Sequence, residues 1–162
     1  MSYSDGEGGQ AGVGGSIFSS LAPRPRAAVA TVPDVIRRLW ARRAGTGVHH
    51  DRFLVEAIGP LLFHCTYLDI LRRSARFHYI DATAAQHALV RGSSSMSSGD
   101  HVVGASWEAA ADLDCWPFFD RVHTKSNPID GVSRGDFSGP WERVVEAVVP
   151  LQLIREMELS CS

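Results

Sequence analysis

The sequence predicts an α/β protein built on a mixed five-stranded sheet that is flanked by helices. The first observation is that three β-rich segments fill residues 1–32 and are separated by glycine- and proline-rich turns, which is typical of an antiparallel meander. The second is that two later β-rich segments, at 77–81 and 116–123, each follow a helical pattern. Strands reached through helical crossovers pair in parallel, so the whole sheet should be mixed.

Local patterns predict each element in turn. Asp5 lies in the first strand, and the glycines after it supply a turn and a second strand whose small residues leave room for a neighbouring backbone. Apolar residues at helical spacing predict helices over 34–40, 50–73, 82–91 and 100–113. Gly92 is a natural C-terminal cap for the third of these helices. The strand over 116–123 should be buried and entered through Pro117.

Composition favours one ordinary domain. With 162 residues, 44% hydrophobic and 21% charged, the chain can bury a single core, which we place in 1–139, with a helical extension over 140–162. No apolar stretch is long enough to cross a bilayer and no secretory leader pattern is present, so we expect an intracellular protein, cytoplasmic or nuclear, that contacts no membrane. The three cysteines are widely spaced, which predicts reduced thiols rather than disulfides or a zinc site.

The net charge of −2 disfavours a nucleic-acid partner, but this average hides an asymmetry. Residues 1–81 contain ten arginines and seven acids, whereas residues 82–162 contain six basic residues and eleven acids. Fifteen of the sixteen basic residues are arginine, which suits bidentate phosphate contact. A GC-rich genome produces the same bias, so both explanations stay open.

Four acids fall where α/β proteins hold cations or substrates. Asp81 ends the fourth strand, and carboxylates at the C-terminal tip of a strand are held rigidly and face solvent. Asp5 lies on the first strand. Glu56 lies among apolar positions of the 50–73 helix, four residues before Pro60. Because proline cannot donate the helical hydrogen bond to the Glu56 carbonyl, we expect the helix to bend there.

The fourth acid, Asp130, lies in the first turn of a short predicted helix. Asn127 can cap this turn, and Pro128 fits its first position. Taken singly, each of the four acids has an ordinary explanation, as a cap or as a charge beside an apolar stripe. Taken together, converging carboxylates repel one another unless protons or cations intervene, and hard oxygen ligands suit Mg²⁺ or Mn²⁺.

Five segments resemble the ribonuclease H domains that are fused to retroelement reverse transcriptases. They are residues 3–7 (YSDGE), 12–18 (GVGGSIF), 80–85 (IDATAA), 89–93 (LVRGS) and 125–134 (KSNPIDGVSR). The acids Asp, Glu, Asp and Asp follow one another in the order of the ribonuclease H active site. The resemblance covers about residues 3–136 and implies a ribonuclease H-like fold.

The resemblance also implies an activity, which is metal-dependent endonucleolytic hydrolysis of the RNA strand of RNA/DNA hybrids. Two Mg²⁺ or Mn²⁺ ions ~4 Å apart would activate water and stabilise the leaving 3′ oxygen. We assign Asp5 as the bridging ligand, Glu56 and Asp81 to the leaving-group side, and Asp130 to the water-activating side. All four residues are therefore predicted to be both catalytic and metal-binding.

Partners and alternatives follow from the same resemblance. The hybrid would contact a set of residues near the acids, namely Gly6, Thr83, Gln86, Ser133 and Arg134. The chain would be a fragment of a retroelement polyprotein that also contains a reverse transcriptase domain. Two alternatives remain: a catalytically weak or inactive nucleic-acid-binding scaffold, which Ala82 favours because those domains usually have Asn there, and a DNA-directed nuclease of the same fold.

Overall fold

The computed structural model describes residues 1–7, 11–20, 23–44, 48–142 and 144–150. Its strands are β1 (Ser2–Glu7), β2 (Gly12–Ile17), β3 (Arg26–Thr31), β4 (Ala75–Ile80), β5 (Trp116–Arg121) and β6 (Val144–Glu146). Its helices are α1 (Asp34–Ala44), α2 (Val48–Thr66), α3 (Leu68–Leu71), α4 (Thr83–Arg91), α5 (Ser97–Asp112) and α6 (Asp130–Ser133). The α/β class predicted from the sequence is confirmed.

Within the described residues, six strands form one mixed sheet in the order β5-β4-β1-β2-β3-β6. Strands β1, β2 and β3 pair antiparallel, as the meander predicted. Strand β4 pairs parallel with β1, and β5 pairs parallel with β4. Helix α2 lies in the connection from β3 to β4, and α4 and α5 lie in the connection from β4 to β5, so both parallel pairings use helical crossovers.

The sheet has six strands rather than the five predicted. The extension over 140–162 was expected to be helical, but β6 lies within it and pairs in parallel with β3. Residues 147–150 form no helix, and 151–162 lie outside the described residues. The open edge of β3 offers unpaired backbone groups, and the two β-branched valines of β6 favour an extended chain there.

Two other boundaries differ from the prediction. The helix expected over 50–73 ends at Thr66, and α3 follows after Tyr67. Strand β5 ends at Arg121, before the predicted His123, and it is not buried on both faces. Trp116 is 66% exposed although its neighbour Pro117 is buried, because β5 is an edge strand that packs on only one face.

Helix α2 packs against β1 and β2 on one face of the sheet, called here the inner face, and against α5 on its other side. Leu54, Ile58 and Leu62 of α2 are almost fully buried in this layer. On the opposite, outer face, α6 packs against β1, β2 and β3. The outer faces of β4 and β5 are therefore left uncovered by any helix within the described part of the chain. In that part, no helix is long and apolar enough to cross a membrane.

Polar side chains are buried between the sheet and α2. His78 is hydrogen-bonded to the Ser2 hydroxyl at 2.8 Å and to the Ser4 hydroxyl at 2.9 Å. The Arg76 guanidinium donates to Ser2 at 3.2 Å and to His64 Nε2 at 2.9 Å. Burial, together with the Arg76 charge, lowers the pKa of His64 to about 3 and holds the pKa of His78 well below its usual value. Both histidines are therefore neutral in the folded protein at neutral pH.

Candidate metal centre

Three carboxylates that are far apart in the sequence meet at one end of the sheet. Asp5, Glu56 and Asp81 each offer an oxygen, and these oxygens lie within 4.8 Å of one another. The three residues are only 5%, 1% and 7% exposed, respectively. Buried acids this close are rare without a cation or a proton between them, because their charges repel in a medium of low dielectric constant.

The two aspartates are brought together by parallel pairing of their strands. Ser4 of β1 lies opposite Ile80 of β4, so Asp5 and Asp81 are the next residues at the C-terminal ends of adjacent strands. In open α/β sheets this end of the strands is where ligands usually bind. The prediction that Asp81 stands at the tip of a strand is confirmed, since β4 ends one residue before it.

Glu56 is supplied by α2, which lies close against β1. The Gly6 amide donates a hydrogen bond of 3.1 Å to Glu56 Oε2. A Cβ atom at Gly6 would come within 2.9 Å of the Glu56 backbone nitrogen, so any larger residue would push the helix away. Helix α2 continues through Pro60, which leaves the Glu56 carbonyl without its helical donor.

Asp5 is held by a residue of α6. The Ser133 hydroxyl donates to Asp5 Oδ2 at 2.5 Å, and its Oγ also lies 2.9 Å from the Asp130 carbonyl oxygen. Helix α6 can approach this closely because β2 has glycine at position 14, where a Cβ atom would lie 2.8 Å from the Ser133 nitrogen. The small residues predicted in the second strand therefore leave room for a neighbouring backbone, as expected.

The electrostatics of the cluster favour protonation when no cation is present. Burial, with the nearby charges of Asp81 and Asp5, raises the pKa of Glu56 to about 9. Burial also raises the pKa of Asp5, although the Ser133 hydrogen bond opposes this shift. At neutral pH the cluster without metal therefore keeps at least one proton that a divalent cation would replace.

Two oxygens of the cluster have unused hydrogen-bonding capacity. Glu56 Oε1 and Asp81 Oδ1 are buried and have no hydrogen-bond partner among the described residues. Buried polar atoms are nearly always satisfied, so these two carboxylate oxygens are available to a further group. A hard divalent cation such as Mg²⁺ or Mn²⁺ fits this donor set, since all the available ligands are carboxylate oxygens.

Asp130 lies near this group but is not part of it. Its Oδ1 accepts a hydrogen bond of 2.7 Å from Arg134 Nη2, and its side chain is 32% exposed. Its charge still contributes to the raised pKa of Asp5, so it lies within electrostatic reach of the cluster. The structure thus brings three of the four predicted ligands together and pairs the fourth with an arginine.

The predicted substrate contacts occupy different positions around the cluster. Thr83 is exposed in the first turn of α4, whereas Gln86 is half-buried and its side-chain amide donates to the Phe119 carbonyl at 3.5 Å. The Gly6 amide is used by Glu56, and the Ser133 hydroxyl is buried against Asp5. Of the five residues predicted to contact nucleic acid, Thr83 and Arg134 present exposed side chains.

Two residues support the site through contacts that the sequence did not indicate. Ser133, which was predicted to contact nucleic acid, also donates a hydrogen bond to Asp5 Oδ2. Asn127 was predicted to cap a helix, and its Oδ1 accepts from the Ile129 amide at 3.3 Å; in addition, its Nδ2 donates to the Ser4 carbonyl at 3.3 Å. This second bond ties the loop before α6 to β1. The signal in the sequence was the Asn-Pro pair, which predicted the turn but not its partner.

No family model, no curated protein and no solved structure matches this chain. A groove of about 300 Å³ lies between α2 and α5, and none of the three clustered acids lines it.

Proposed function

We propose that this chain is a metal-dependent endonuclease of the ribonuclease H type that hydrolyses the RNA strand of RNA/DNA hybrids. The observation that carries the proposal is the convergence of Asp5, Glu56 and Asp81 with unused carboxylate oxygens. Two Mg²⁺ or Mn²⁺ ions are the cofactors that such a donor set supports. A reverse transcriptase domain in a longer polyprotein is the partner that the resemblance supports.

The topology supports the same fold assignment. The three strands of the antiparallel meander come first in the chain, and β4 and β5, which run parallel to β1, come later and lie on its other side. The clustered acids come from β1, α2 and the end of β4, in the chain order of the ribonuclease H active site. The choice of a hybrid as substrate rests on the five resembling segments, which surround these acids.

The residues of the chain have distinct roles in this proposal. Asp5, Glu56 and Asp81 would hold the metal through their carboxylate oxygens. Gly6 and Ser133 orient the carboxylates of Glu56 and Asp5 through their hydrogen bonds. When bound, divalent ions supply activation of a water nucleophile and stabilisation of the leaving 3′ oxygen.

Asp130 and Arg134 would act beside this group. Their ion pair of 2.7 Å keeps the Asp130 carboxylate turned to the arginine in the metal-free protein. Arg134 is exposed, and an arginine next to an acidic site is well suited to contact a substrate phosphate. A phosphate that binds Arg134 would free Asp130 to join the other carboxylates.

The decisive experiment compares cleavage of a labelled RNA/DNA hybrid, of duplex DNA and of duplex RNA by the full chain, with Mg²⁺ and with chelator. We expect Mg²⁺-dependent cleavage of the hybrid that leaves a 5′ phosphate, and we expect Asp81→Asn to abolish it. The control is Asp112→Asn, an exposed acid at the end of α5, which should cleave like the parent.

The same protein should be melted with and without ~10 mM Mg²⁺, a concentration that saturates weak sites. Binding to the folded state alone adds about 2.7 kcal/mol at a hundredfold excess over Kd. Asp81→Asn should stabilise the metal-free protein, because it removes one repelling charge, and should lose the gain from metal. Metal binding without cleavage would identify an inactive scaffold, and cleavage of duplex DNA alone would identify a DNA-directed nuclease.

A further inference from the structure

The outer face of β4 and β5 carries several exposed aromatic rings. Phe77 is 53% exposed, Trp116 66% and Phe118 57%, and they are among the most exposed large apolar side chains of the described residues. Phe77 contacts Phe118 with ring centroids 5.8 Å apart and Tyr79 at 6.4 Å. Contiguous exposed apolar surface of this kind usually marks a binding site.

The rings continue onto β1 and the end of β2. Tyr79 stacks on Tyr3 at 5.1 Å with ring planes 25° apart, and Tyr3 meets Phe18 edge-on at 5.7 Å. We call this set the aromatic face; its members are Tyr3, Phe18, Phe77, Tyr79, Trp116 and Phe118. No helix covers the part of it that lies on β4 and β5 within the described chain.

The aromatic face leads directly to the acidic cluster. Residues two apart in a strand point to the same side of the sheet. Asp5 therefore follows Tyr3 on the outer face, and Asp81 follows Tyr79 in the same way. The rings of Tyr3 and Tyr79 and these two carboxylates therefore share one side of the sheet.

The free edge of β5 is an unsuitable alternative site. The Trp116 amide donates to the carbonyl of Ser74, just before β4, at 2.8 Å, and the amide of Val122, just after β5, donates to the Ile80 carbonyl at 3.0 Å. The alternate residues of β5, from position 117 on, therefore direct their amides away from β4. Pro117 is one of these residues and has no amide hydrogen to offer. A partner strand could not pair regularly there, so a ligand must lie on the face itself.

Charges around the face indicate how a nucleic acid would be held. The outward positions of β4 and of the first half of β5 are uncharged, and exposed cations stand at both ends of the face. Arg73 precedes β4, whereas Arg121 ends β5 and Lys125 follows it. The exposed acids Asp114 and Asp120 stand beside them, so phosphate contacts are few and ring contacts must dominate.

We propose that the aromatic face is a stacking platform for the unpaired bases of a single-stranded nucleic-acid segment that continues into the acidic cluster. The proposal deepens the proposed function and rests on it for the class of substrate. Every base has an apolar π-face, so aromatic rings bind single strands with little sequence preference. The platform would hold a single-stranded overhang next to the hybrid to be cut.

The test is binding of a fluorescently labelled single-stranded oligonucleotide, as DNA and as RNA, to the full chain in chelator. Quenching of tryptophan fluorescence and anisotropy report the affinity. Phe77→Ala and Phe118→Ala should each weaken binding roughly tenfold, as expected for the loss of one stacking ring. These rings are more than half exposed, so both variants should fold, which circular dichroism checks.

Two controls isolate the platform from the rest of the molecule. Phe137→Ala removes a ring that is 48% exposed and lies beside β3 and β6, so it should bind like the parent. Asp112→Asn, an exposed acid at the end of α5, should also bind like the parent. Unchanged affinity in Phe77→Ala and Phe118→Ala would overturn the platform.

The remaining outcomes separate the platform from the proposed function. Hybrid cleavage without single-strand binding would refute the platform and leave the nuclease standing. Ring-dependent binding without cleavage would support the platform and refute the nuclease. Self-association of the parent, measured by sedimentation and lost in Phe77→Ala without any oligonucleotide binding, would show that the face joins two copies and would overturn the proposal.

Discussion

Glu56 is the residue at which burial opposes a charged side chain most directly. It is 1% exposed, its Oε1 has no hydrogen-bond partner among the described residues, and two other acids lie beside it. A structural role alone would be filled better by glutamine, which keeps the shape and the acceptor for the Gly6 amide without a titrating charge. The proposed cation, bound between the three carboxylates, would account for an acid at this position.

The raised pKa of Glu56 predicts how the stability of the metal-free protein varies with pH. The ordinary pKa of this group is 4.5 and burial, with Asp81 and Asp5, raises it to about 9, so between these values the folded state keeps a proton that the unfolded state has lost. The free energy of unfolding must fall as pH rises across this window. In Glu56→Gln this fall should be absent, which makes the variant more stable than the parent at about pH 8.

Urea denaturation in chelator at a series of pH values measures this effect. The matched control is Glu108→Gln, an exposed glutamate on α5, which should follow the parent. If Glu56→Gln lost stability with rising pH as steeply as the parent, Glu56 of the parent would have to be ionised in the folded protein. Saturating Mg²⁺ should reverse the order of the parent and Glu56→Gln, because only the parent has all three ligands.

Asp130 tests whether a fourth carboxylate acts in catalysis. Asp130→Asn keeps the shape but weakens any contribution to a second metal, so the fold should survive while hybrid cleavage falls roughly a thousandfold at limiting Mg²⁺. Mn²⁺, which binds carboxylates more tightly, should restore part of the rate. The control is Asp136→Asn, whose Oδ1 accepts from the Ser138 amide, a bond that asparagine can keep. If both variants lost cleavage activity equally, Asp130 would have no specific role in catalysis.

At the scale of elements, the site depends on how closely α6 approaches β2. A Cβ atom at Gly14 would lie 2.8 Å from the Ser133 nitrogen, so Gly14→Ala must move α6 and the serine that holds Asp5. Overpacking of this kind costs about 1–3 kcal/mol, and the stabilisation by Mg²⁺ should shrink as well. Thermal unfolding with and without Mg²⁺ measures both effects.

The matched control for this substitution is Gly104→Ala in α5. A Cβ atom there would meet nothing within 4 Å, and alanine favours the helix over glycine by about 0.5–1 kcal/mol. This variant should therefore be more stable than the parent and should respond to Mg²⁺ in the same way. Stabilisation by Gly14→Ala as well would show that α6 does not pack on β2 as closely as the structure has it.

At the scale of the whole molecule, the layer between the sheet and α2 makes the fold sensitive to acid. Burial, next to Arg76, lowers the pKa of His64 from 6.5 to about 3, so between these values the unfolded state binds a proton that the folded state excludes. The free energy of unfolding should therefore fall as pH decreases through this window. His64→Gln should flatten this dependence, while exposed His87→Gln should not.

This measurement is cleanest in the Glu56→Gln background. Over part of the same pH range, the titration of Glu56 changes the free energy of unfolding in the opposite direction. In the parent, the effects of Glu56 and His64 on stability therefore overlap. The difference in unfolding free energy between the double variant, Glu56→Gln with His64→Gln, and Glu56→Gln alone gives the contribution of His64. If acid destabilised both proteins to the same extent, other groups, such as His78, would have to account for the whole effect.

Much of the fold was predictable because it is encoded locally. Gly92 ends α4 in the left-handed conformation, with φ of 74°, as its position after the alanine-rich segment predicted. Apolar spacing predicted α2 and α5, and turn residues predicted the meander. Asp81 was predictable as an acid at the tip of a strand, because the change from β-rich to helix-forming residues lies within a few positions of it.

What only the tertiary structure decided depends on residues far apart in the chain. Strand β6 forms because the edge of β3 is otherwise unpaired, and the sequence of 144–146 does not indicate that β3 is available as a partner. Ser133 reads locally as an exposed loop residue, yet it holds Asp5 because Gly14, more than a hundred residues earlier, lets α6 approach. Sequence spacing determines which face of an element a side chain occupies, whereas the close approach of two elements, which creates the acidic cluster, is set by packing across the whole molecule.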